Sequence, residues 1–382
     1  GSYNAAFGRL SLEANTTGTE NTAIGNAALY LNTTGANNTA VGSSALDANT
    51  TASHGAAFGF SALSANTTAQ DNSAFGAYAL QTTTTGASNT AVGAASLQLN
   101  TTGANNVAVG KNALNANTTG VDNVAVGMNA LGANTTANRN TAVGRYALRA
   151  NTTATENTAV GRVSSYNITT GSRNVSMGNE SLYSATTCTD VVCVGTQAGD
   201  SLTTGSSNTL IGKGAGNTLT TGMGNVAIGT NAGHDNQTGS NLLYIARAAV
   251  GPSNAAMWIF GASNGACRQG NNATTWTQTS DERIKKNIVD SPNGLAKIDA
   301  LQVRNFNYRT EEEITVEGLT GCDATGLQTG VIAQEIEAVL PEAVSESDSG
   351  QKQVQTDPIF WSMVKAIQEL STQNAALAAR LT

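Results

Sequence analysis

Residues 140–156 read N-T-A-V-G-R-Y-A-L-R-A-N-T-T-A-T-E, and this unit of seventeen residues decides the fold. Its glycine, Gly144, is one of fourteen that stand seventeen residues apart, from Gly8 to Gly229. We number the unit from 1 to 17, so that the first asparagine is position 1, the glycine position 5, the leucine position 9 and the second asparagine position 12. A fixed internal period of this length indicates a repeat architecture in which each unit forms one coil.

Most positions of the unit are nearly constant. Position 4, just before the glycine, is apolar in all fourteen units, position 1 is asparagine in twelve, position 9 is leucine in ten, and positions 13 and 14 are a threonine pair in thirteen. Two short apolar stretches separated by glycine and polar residues favour two short strands per coil. We therefore expect a mainly β solenoid in which asparagine lies over asparagine and threonine over threonine.

The core of a single coil is thin. Each coil offers about two large apolar side chains, worth roughly 2–3 kcal/mol apiece when buried. Ordering its residues costs on the order of 1–2 kcal/mol for each residue. Hydrogen bonds between coils contribute, but a lone solenoid is still poorly supported, so we expect several chains to share one core.

The unit resembles the repeats of trimeric autotransporter adhesin heads, which are β-rolls that meet around a threefold axis. The sequence N-T-A-V-G at Asn38–Gly42 and Asn140–Gly144 carries this resemblance, although the seventeen-residue period departs from that family. The resemblance implies a homotrimeric shaft, which we assign to residues 1–233.

Two features mark the end of the shaft. The last three coils have glycine at position 9 in place of leucine, so we expect the cross-section to change there; these glycines are Gly199, Gly216 and Gly233. The repeat ends near Leu242, and the apolar alternation that follows allows a few further strands. Residues 234–279 are therefore expected to be a β junction or tip.

A different kind of sequence begins at Ser280. The stretch S-D-E-R-I-K-K-N-I at 280–288 resembles the S-D-x-R-x-K-x-N-I motif of the intramolecular chaperones found in phage tailspikes and tail fibres. Further likeness follows in L-A-K-I-D-A-L-Q-V-R-N-F-N-Y from 295, G-V-I-A-Q-E-I-E-A-V-L-P-E-A-V from 330 and V-K-A-I-Q-E-L from 364. The resemblance implies a small α+β chaperone domain over residues 280–382 that directs trimer folding.

The same resemblance implies that the domain cleaves itself from the chain once. Ser280 would be the nucleophile, Lys285 the general base and Thr279–Ser280 the bond that is cut, with Asp281, Arg283 and Asn287 completing the motif. Lysine serves as a base when burial lowers its pKa. Residues five apart share neither a helix face nor a strand face, so the pair needs a turn or two protomers. The alternative is that Ser280 is only a helix N-cap.

The end of the chain carries an apolar stripe of heptad spacing. Its residues alternate intervals of three and four: Phe360, Met363, Ile367, Leu370, Asn374, Leu377 and Leu381. This pattern predicts a C-terminal trimeric coiled-coil helix, in which Asn374 is a register-setting polar residue. Because three heptads alone are marginal, we expect the helix to lean on the rest of its domain.

Composition excludes several function classes. The formal net charge is −7 and only 12% of residues are charged, which argues against nucleic-acid binding. The absence of a long apolar run and of a signal sequence predicts a soluble chain without membrane insertion. The four cysteines form no CxxC pair and only two histidines are present, so we expect no metal or other cofactor, and thiols rather than a disulfide.

These observations together predict a trimeric phage tail fibre that attaches to a host cell surface. We expect the fibre to be made in the bacterial cytoplasm and to reside in the virion, where its partners are other tail proteins and a glycan or protein receptor. Whether the chain is an enzyme is left open: the only activity expected is a single self-cleavage by a Ser-Lys peptidase, with no turnover of an external substrate. The alternatives are a fibre of a contractile injection system, a bacterial surface adhesin with the same chaperone, and a polysaccharide-degrading tailspike.

Overall fold

A computed structural model of the chain describes residues 1–246, 257–261, 267–269, 286–291, 294–309, 311–314, 326–346 and 350–381. The chain divides into two compact units, Gly1–Thr277 and Gln278–Thr382. The first is a β-solenoid, and the second is a small unit with short sheets and a C-terminal helix.

Each of the fourteen repeats contributes one strand of three residues, at positions 2 to 4. Successive strands pair in parallel and in register at an offset of seventeen residues, so that Val124 lies beside Thr141. The predicted mainly β solenoid is confirmed. The strands are β1 (Ala5–Phe7), β2 (Thr22–Ile24), β3 (Thr39–Val41), β4 (Ala56–Phe58), β5 (Ser73–Phe75), β6 (Thr90–Val92), β7 (Val107–Val109), β8 (Val124–Val126), β9 (Thr141–Val143), β10 (Thr158–Val160), β11 (Val175–Met177), β12 (Val192–Val194), β13 (Thr209–Ile211) and β14 (Val226–Ile228).

The second apolar stretch of the unit forms turns, so the expectation of two strands per coil is wrong. Positions 7 and 9 both adopt the left-handed conformation, with φ of 56° at Asn112 and 49° at Leu114. Left-handed residues interrupt the extended backbone that a second strand requires. Leucine seldom adopts this conformation. Here its side chain is fully buried, and that burial offsets the backbone cost.

Each coil of the shaft buries a core within the protomer. Positions 3, 8 and 9 point inward, and Ala125, Ala130 and Leu131 of one coil are all 0% exposed. Position 4, which is apolar in all fourteen units, points outward from the protomer, and Val126 is 37% exposed. The reason is that neighbouring strand residues face opposite sides, so an inward alanine at position 3 directs positions 2 and 4 outward.

Polar ladders run along the stack, as the sequence predicts. At position 1, Asn123 Oδ1 accepts hydrogen bonds from the backbone N–H and the side-chain amide of Asn140, at 3.0 and 3.2 Å. At position 12, the Asn134 amide donates to Asn117 Oδ1 at 2.8 Å. At position 13, Thr135 Oγ1 donates to the carbonyl oxygen of the equivalent threonine in the next coil at 3.2 Å. These bonds satisfy groups whose burial would otherwise be costly.

The core is rearranged in the last coils, where leucine is missing from position 9. A Cβ on Gly216 would stand 2.8 Å from Leu210 Cδ2, so the leucine at position 3 occupies the space that a position-9 side chain fills elsewhere. Leu202 and Leu219 replace the asparagine of position 12 and are at most 1% exposed. In these last coils, apolar side chains at positions 3 and 12 therefore replace the leucine of position 9.

The sheet continues past the fourteenth repeat. Strand β15 (Leu243–Ala246) pairs in parallel with β14, again at an offset of seventeen residues. Strands β16 (Met257–Gly261) and β17 (Cys267–Gln269) then pair antiparallel to their neighbours. The few further strands expected after the repeat are thus present, and the change to antiparallel pairing marks the end of the solenoid pattern.

In its described residues, the C-terminal unit contains three α-helices and two small sheets. Its elements are helix α1 (Gly294–Ala300), strands β18 (Arg304–Phe306) and β19 (Gln328–Gly330), helix α2 (Ala333–Glu337), strands β20 (Val344–Glu346) and β21 (Lys352–Val354), and helix α3 (Thr356–Leu381). Both strand pairs are antiparallel. Ile336, Leu340 and Ala343 form a small buried core. Among the described residues, no helix has the length and apolarity that crossing a membrane requires.

Candidate functional site

The predicted cleavage motif lies almost wholly outside the described residues. Thr279, Ser280, Asp281, Arg283 and Lys285 fall in that part of the chain. The assignment of nucleophile, base and scissile bond therefore stays a prediction.

The described segment that follows the motif, residues 286–291, is exposed throughout. Asn287 has a left-handed backbone with φ of 58°, a conformation that asparagine adopts more readily than most residues. Ile288 and Val289 are 64% and 85% exposed. Two adjacent apolar side chains in water make this segment a candidate contact surface.

Helix α1 is anchored on helix α3 by a glycine and a carboxylate. Gly294 begins α1 and packs so closely that a Cβ there would stand 2.5 Å from the backbone nitrogen of Ala366. Glu369 of α3 accepts hydrogen bonds from the backbone N–H groups of Gly294 and Leu295, at 3.0 and 2.8 Å. The bond from Leu295 is the main reason that the pKa of Glu369 lies below its ordinary value. The carboxylate satisfies orphan donors at the start of α1.

The predicted heptad residues all lie on helix α3, which runs unbroken for 26 residues. The six apolar ones are between 41% exposed at Met363 and 81% exposed at Leu381. Asn374 is exposed in the same row. The residues of α3 that are buried, Ser362 and Ala366, lie outside this stripe. We call the stripe the α3 seam; it is an apolar face that the protomer itself does not cover.

The shaft carries a second apolar face that the protomer leaves uncovered. It consists of the outward side chains at positions 2 and 4 of the fourteen strands. Position 4 is 79% exposed at Phe7, 41% at Phe75 and 39% at Ile228. Across all fourteen coils neither position carries a charged residue, whereas the chain elsewhere on the shaft has charges at positions 6, 10 and 17. We call this surface the strand face.

The thiols of the shaft are not reactive groups. Cys188 and Cys193 are free and buried. Burial raises the pKa of the Cys188 thiol to about 12 and raises that of Cys193 well above its ordinary value. Neither thiol is ionised at neutral pH, so neither serves as a nucleophile. Within the described ranges, no group of histidine, cysteine and carboxylate side chains is arranged to hold a metal ion.

The strand face escaped the sequence analysis because position 4 is always apolar, which is also what a core position would show. A usable signal was present: in T-A-V the small alanine alternates with two larger residues, and only one of the two faces can point inward. Because the leucine of position 9 already fills much of the interior, the side of the strand that points inward is the one with the small alanine of position 3.

Comparison with protein families supports the interpretation of the C-terminal unit. The family model described as chaperone of endosialidase matches residues 280–345. The match begins at the predicted motif serine and includes α1, α2 and the small buried core. The chain therefore combines a fourteen-turn parallel β-solenoid with a segment that is similar to the chaperone of endosialidase, a combination that fits a fibre-like or tailspike-like protein.

Proposed function

We propose that the chain is one protomer of a homotrimeric fibre that attaches to a host cell surface, and that its C-terminal unit directs assembly of the trimer. The observation that carries this proposal is the strand face, an uncharged surface that runs the full length of the repeat. Solvent-exposed protein surface normally carries interspersed charges, and long uncharged apolar patches are typical of interfaces.

The size of the strand face is suited to a stable interface. Fourteen coils at about 4.8 Å per coil give a length of roughly 67 Å, and a strand of three residues is about 10 Å wide. The face therefore covers roughly 670 Å², which is close to the roughly 800 Å² that each partner contributes to a standard protein interface. This size favours a lasting partner over a transient one.

A second copy of this chain is the partner that fits best. Only a surface with the same rise per coil keeps its side chains in register with the strand face over fourteen coils, and an identical chain has that rise by construction. In a ring of three chains, the position-4 side chains of one coil meet their own equivalents near the axis. Because three identical side chains would meet at each coil, position 4 can be phenylalanine in one coil and isoleucine or valine in another.

The α3 seam supports the same assembly. Exposed apolar residues at intervals of three and four are typical of helices that pair with copies of themselves. A trimer of α3 helices would bring three chains together at one end and so lower the cost of starting the coil stack in register. This is the chaperone role that the match to residues 280–345 suggests.

The attachment role follows from the architecture of a long repeat shaft. We place the fibre on a phage virion, with self-release of the chaperone unit at Thr279–Ser280 after assembly. The outer coil surface and the end of the sheet at β15–β17 then remain to meet a receptor.

The test uses two lysine substitutions in one coil. Val126 at position 4 and Met128 at position 6 are both partly exposed apolar residues. Lysine or arginine already occupies position 6 at Lys111 and Arg145, so Met128→Lys should leave the molecular mass by light scattering unchanged. Val126→Lys places three charges near the axis of the proposed trimer, and we expect loss of the trimer. A wild-type monomer, or equal behaviour of the two variants, would contradict the proposal.

A further inference from the structure

A notch interrupts the outer surface of the shaft at Gly132. Position 10 is occupied by Asn115 in the coil before and by Arg149 in the coil after, so the missing side chain leaves a gap in a continuous column. The gap is an open notch of about 310 Å³, lined by Gln98, Asn112, Asn115, Asn129, Gly132, Ala133 and Arg149.

The notch presents hydrogen-bonding groups in a fixed arrangement. Gln98 Oε1 accepts a hydrogen bond from the Asn115 amide at 3.2 Å, and the same amide donates to the carbonyl oxygen of Ala95 at 2.9 Å. Asn112 and Asn129 occupy position 7 of successive coils, and within the described residues their side-chain amides make no hydrogen bond. Each therefore offers a donor and an acceptor to a ligand.

One end of the notch is cationic, and the cation lies near two tyrosines that are not part of the lining. The guanidinium of Arg149 is 6.0 Å from the ring centres of both Tyr146 and Tyr166, and it has no acidic partner among the described residues. Tyr166 stacks on Tyr183 with ring centres 5.5 Å apart. The guanidinium of Arg145 lies over Tyr146 at 4.5 Å. The lining contains no carboxylate, so an anion meets no repulsion inside the notch.

We propose that the notch at Gly132 binds a sugar unit that carries a carboxylate, as part of an acidic surface glycan. Sugar hydroxyls both donate and accept hydrogen bonds, which matches the free amides of Asn112 and Asn129. A carboxylate suits the planar guanidinium of Arg149, which has two parallel donors to offer.

This inference names the receptor class for the proposed attachment function and so rests on that function. The notch is built from positions 7, 10 and 11, which lie in the turn segment of the coil, whereas the strand face is built from positions 2 and 4. Assembly through the strand face and binding at the notch therefore use different residues. A trimer would carry three such notches at one level of the shaft, which raises the apparent affinity for a glycan-coated surface.

The test compares wild-type protein with three variants on a panel of oligosaccharides that contain uronic or sialic acid units. Carboxyl-reduced forms of the same oligosaccharides serve as neutral probes, and binding is measured by calorimetry. Gly132 does not have a left-handed backbone and its equivalents carry side chains, so Gly132→Gln should fold normally and fill the notch. We expect it to lose binding at least about tenfold, the loss that one charge-assisted hydrogen bond would cause.

Arg149→Gln separates charge from shape. It should weaken binding of the acidic probes by roughly tenfold and leave the neutral forms unchanged. Arg139→Gln is the matched control, because Arg139 is an exposed arginine outside the notch that pairs with Glu156 at 3.1 Å. It should bind like wild type. If no acidic probe binds, or if Gly132→Gln binds as well as wild type, the notch assignment is overturned.

Two further measurements distinguish a failure of the notch proposal from a failure of the proposed function. Light scattering reports the trimer without reference to any glycan. Gly132→Gln protein that still adheres to host cells, without inhibition by acidic oligosaccharides, would refute glycan binding at the notch. The proposed attachment function would not be affected by that result. Acidic probes that bind a monomeric wild-type chain in a Gly132-dependent way would confirm the notch and refute the trimer.

Discussion

Gly127 and Gly144 occupy the same position in successive coils, and the carbonyl oxygen of Gly144 lies 2.5 Å from where a Cβ on Gly127 would stand. The backbone of Gly127 has a φ of 135°, which side chains rarely tolerate. The same two constraints, a conformation and a close approach, recur at this position along the stack. They explain why glycine is present at position 5 in all fourteen coils.

The first prediction compares two alanine substitutions in one coil. Gly127→Ala should abolish or severely weaken stacking of that coil, because both the φ and the contact with Gly144 forbid a Cβ. Gly132→Ala should be far milder, since its φ is ordinary, its closest Cβ contact of 3.2 Å is longer, and the other coils carry a side chain at this position. Thermal unfolding followed by circular dichroism checks this. A similar melting temperature for the two variants would contradict the assigned coil geometry.

The second prediction concerns the leucine of position 9. Leu114 is 0% exposed, and Leu114→Ala should destabilise the shaft by about 2–5 kcal/mol per site, the usual range for a buried leucine. Its φ of 49° favours glycine over alanine, so Leu114→Gly should cost no more than Leu114→Ala, against the usual order. Denaturant unfolding measures both. Leu99→Ala is the control, because Leu99 is 45% exposed and should matter little.

The spacing of the repeat predicted more of the fold than the residue preferences within one unit did. The strict spacing of the position-5 glycines predicted stacked coils and polar ladders, because equal coil lengths leave little freedom in how coils lie on one another. It did not reveal that the Gly127–Leu131 stretch is a turn. Propensity assigns leucine to regular structure, and only the packing of Leu131 in the core makes its left-handed backbone tolerable.

The ladders also show where sequence reasoning stops. The position-12 ladder is interrupted at Thr83 and ends at Ile168, and the side-chain oxygens of Asn66 and Asn151 just before these residues are buried without a hydrogen bond. Replacing the asparagine of position 12 in one coil thus leaves a buried side-chain oxygen without a hydrogen bond in the coil before it. Such costs depend on contacts seventeen residues apart and appear only once the register is known.

The candidate site was predicted in part. The heptad residues from Phe360 to Leu381 could be placed on one helix stripe because helix periodicity alone fixes that arrangement. The anchoring of α1 by Glu369 could not be predicted from the sequence, because Glu369 is more than seventy positions away from Gly294 and Leu295, the two residues that it contacts. The notch was visible in principle: Gly132 is the one glycine in the position-10 column, and aligning the coils reveals it.

The third prediction concerns the pH dependence of the C-terminal unit. The folded state lowers the pKa of Glu369 below its ordinary 4.5, chiefly through the Leu295 N–H. A lowered folded pKa contributes stability above the unfolded value, and that contribution is lost as the pH falls through the folded value. The protection factors of the α1 amides, which are exchange rates corrected for the intrinsic pH dependence of amide exchange, should therefore fall below about pH 4.5.

The control for this prediction is a second glutamate. Glu369→Gln should make α1 exchange faster at neutral pH and should reduce its acid sensitivity, because an amide keeps an acceptor but carries no charge. Glu346→Gln removes the same charge from an exposed strand residue and should change neither quantity. Equal protection of α1 in wild type and Glu369→Gln would mean that the cap contributes nothing.

The fourth prediction concerns Asn374 and rests on the proposed trimer. A polar residue in an apolar heptad seam sets register at some cost in stability. In the uncut Ser280→Ala background, which retains the C-terminal unit, Asn374→Leu should therefore raise the melting temperature of the assembly and broaden its distribution of oligomeric states. Gln373→Leu adds the same side chain beside the stripe and should do neither. Calorimetry with light scattering measures both effects, and identical results for the two variants would exclude Asn374 from an interface.

The last prediction tests the cleavage that the resemblance implies. Wild-type protein should yield a fragment that begins at Ser280, and Ser280→Ala should stay intact because it lacks the nucleophile. Lys285→Ala should also stay intact, whereas Lys286→Ala removes an equal charge one residue away and should be cut normally. All three variants should still form trimers, because folding uses the whole unit and cleavage depends on single side chains. Mass spectrometry of freshly purified, denatured protein distinguishes the species. An uncut wild-type chain that matches Ser280→Ala in mass, apart from the substitution, would remove the peptidase role and leave the chaperone role alone.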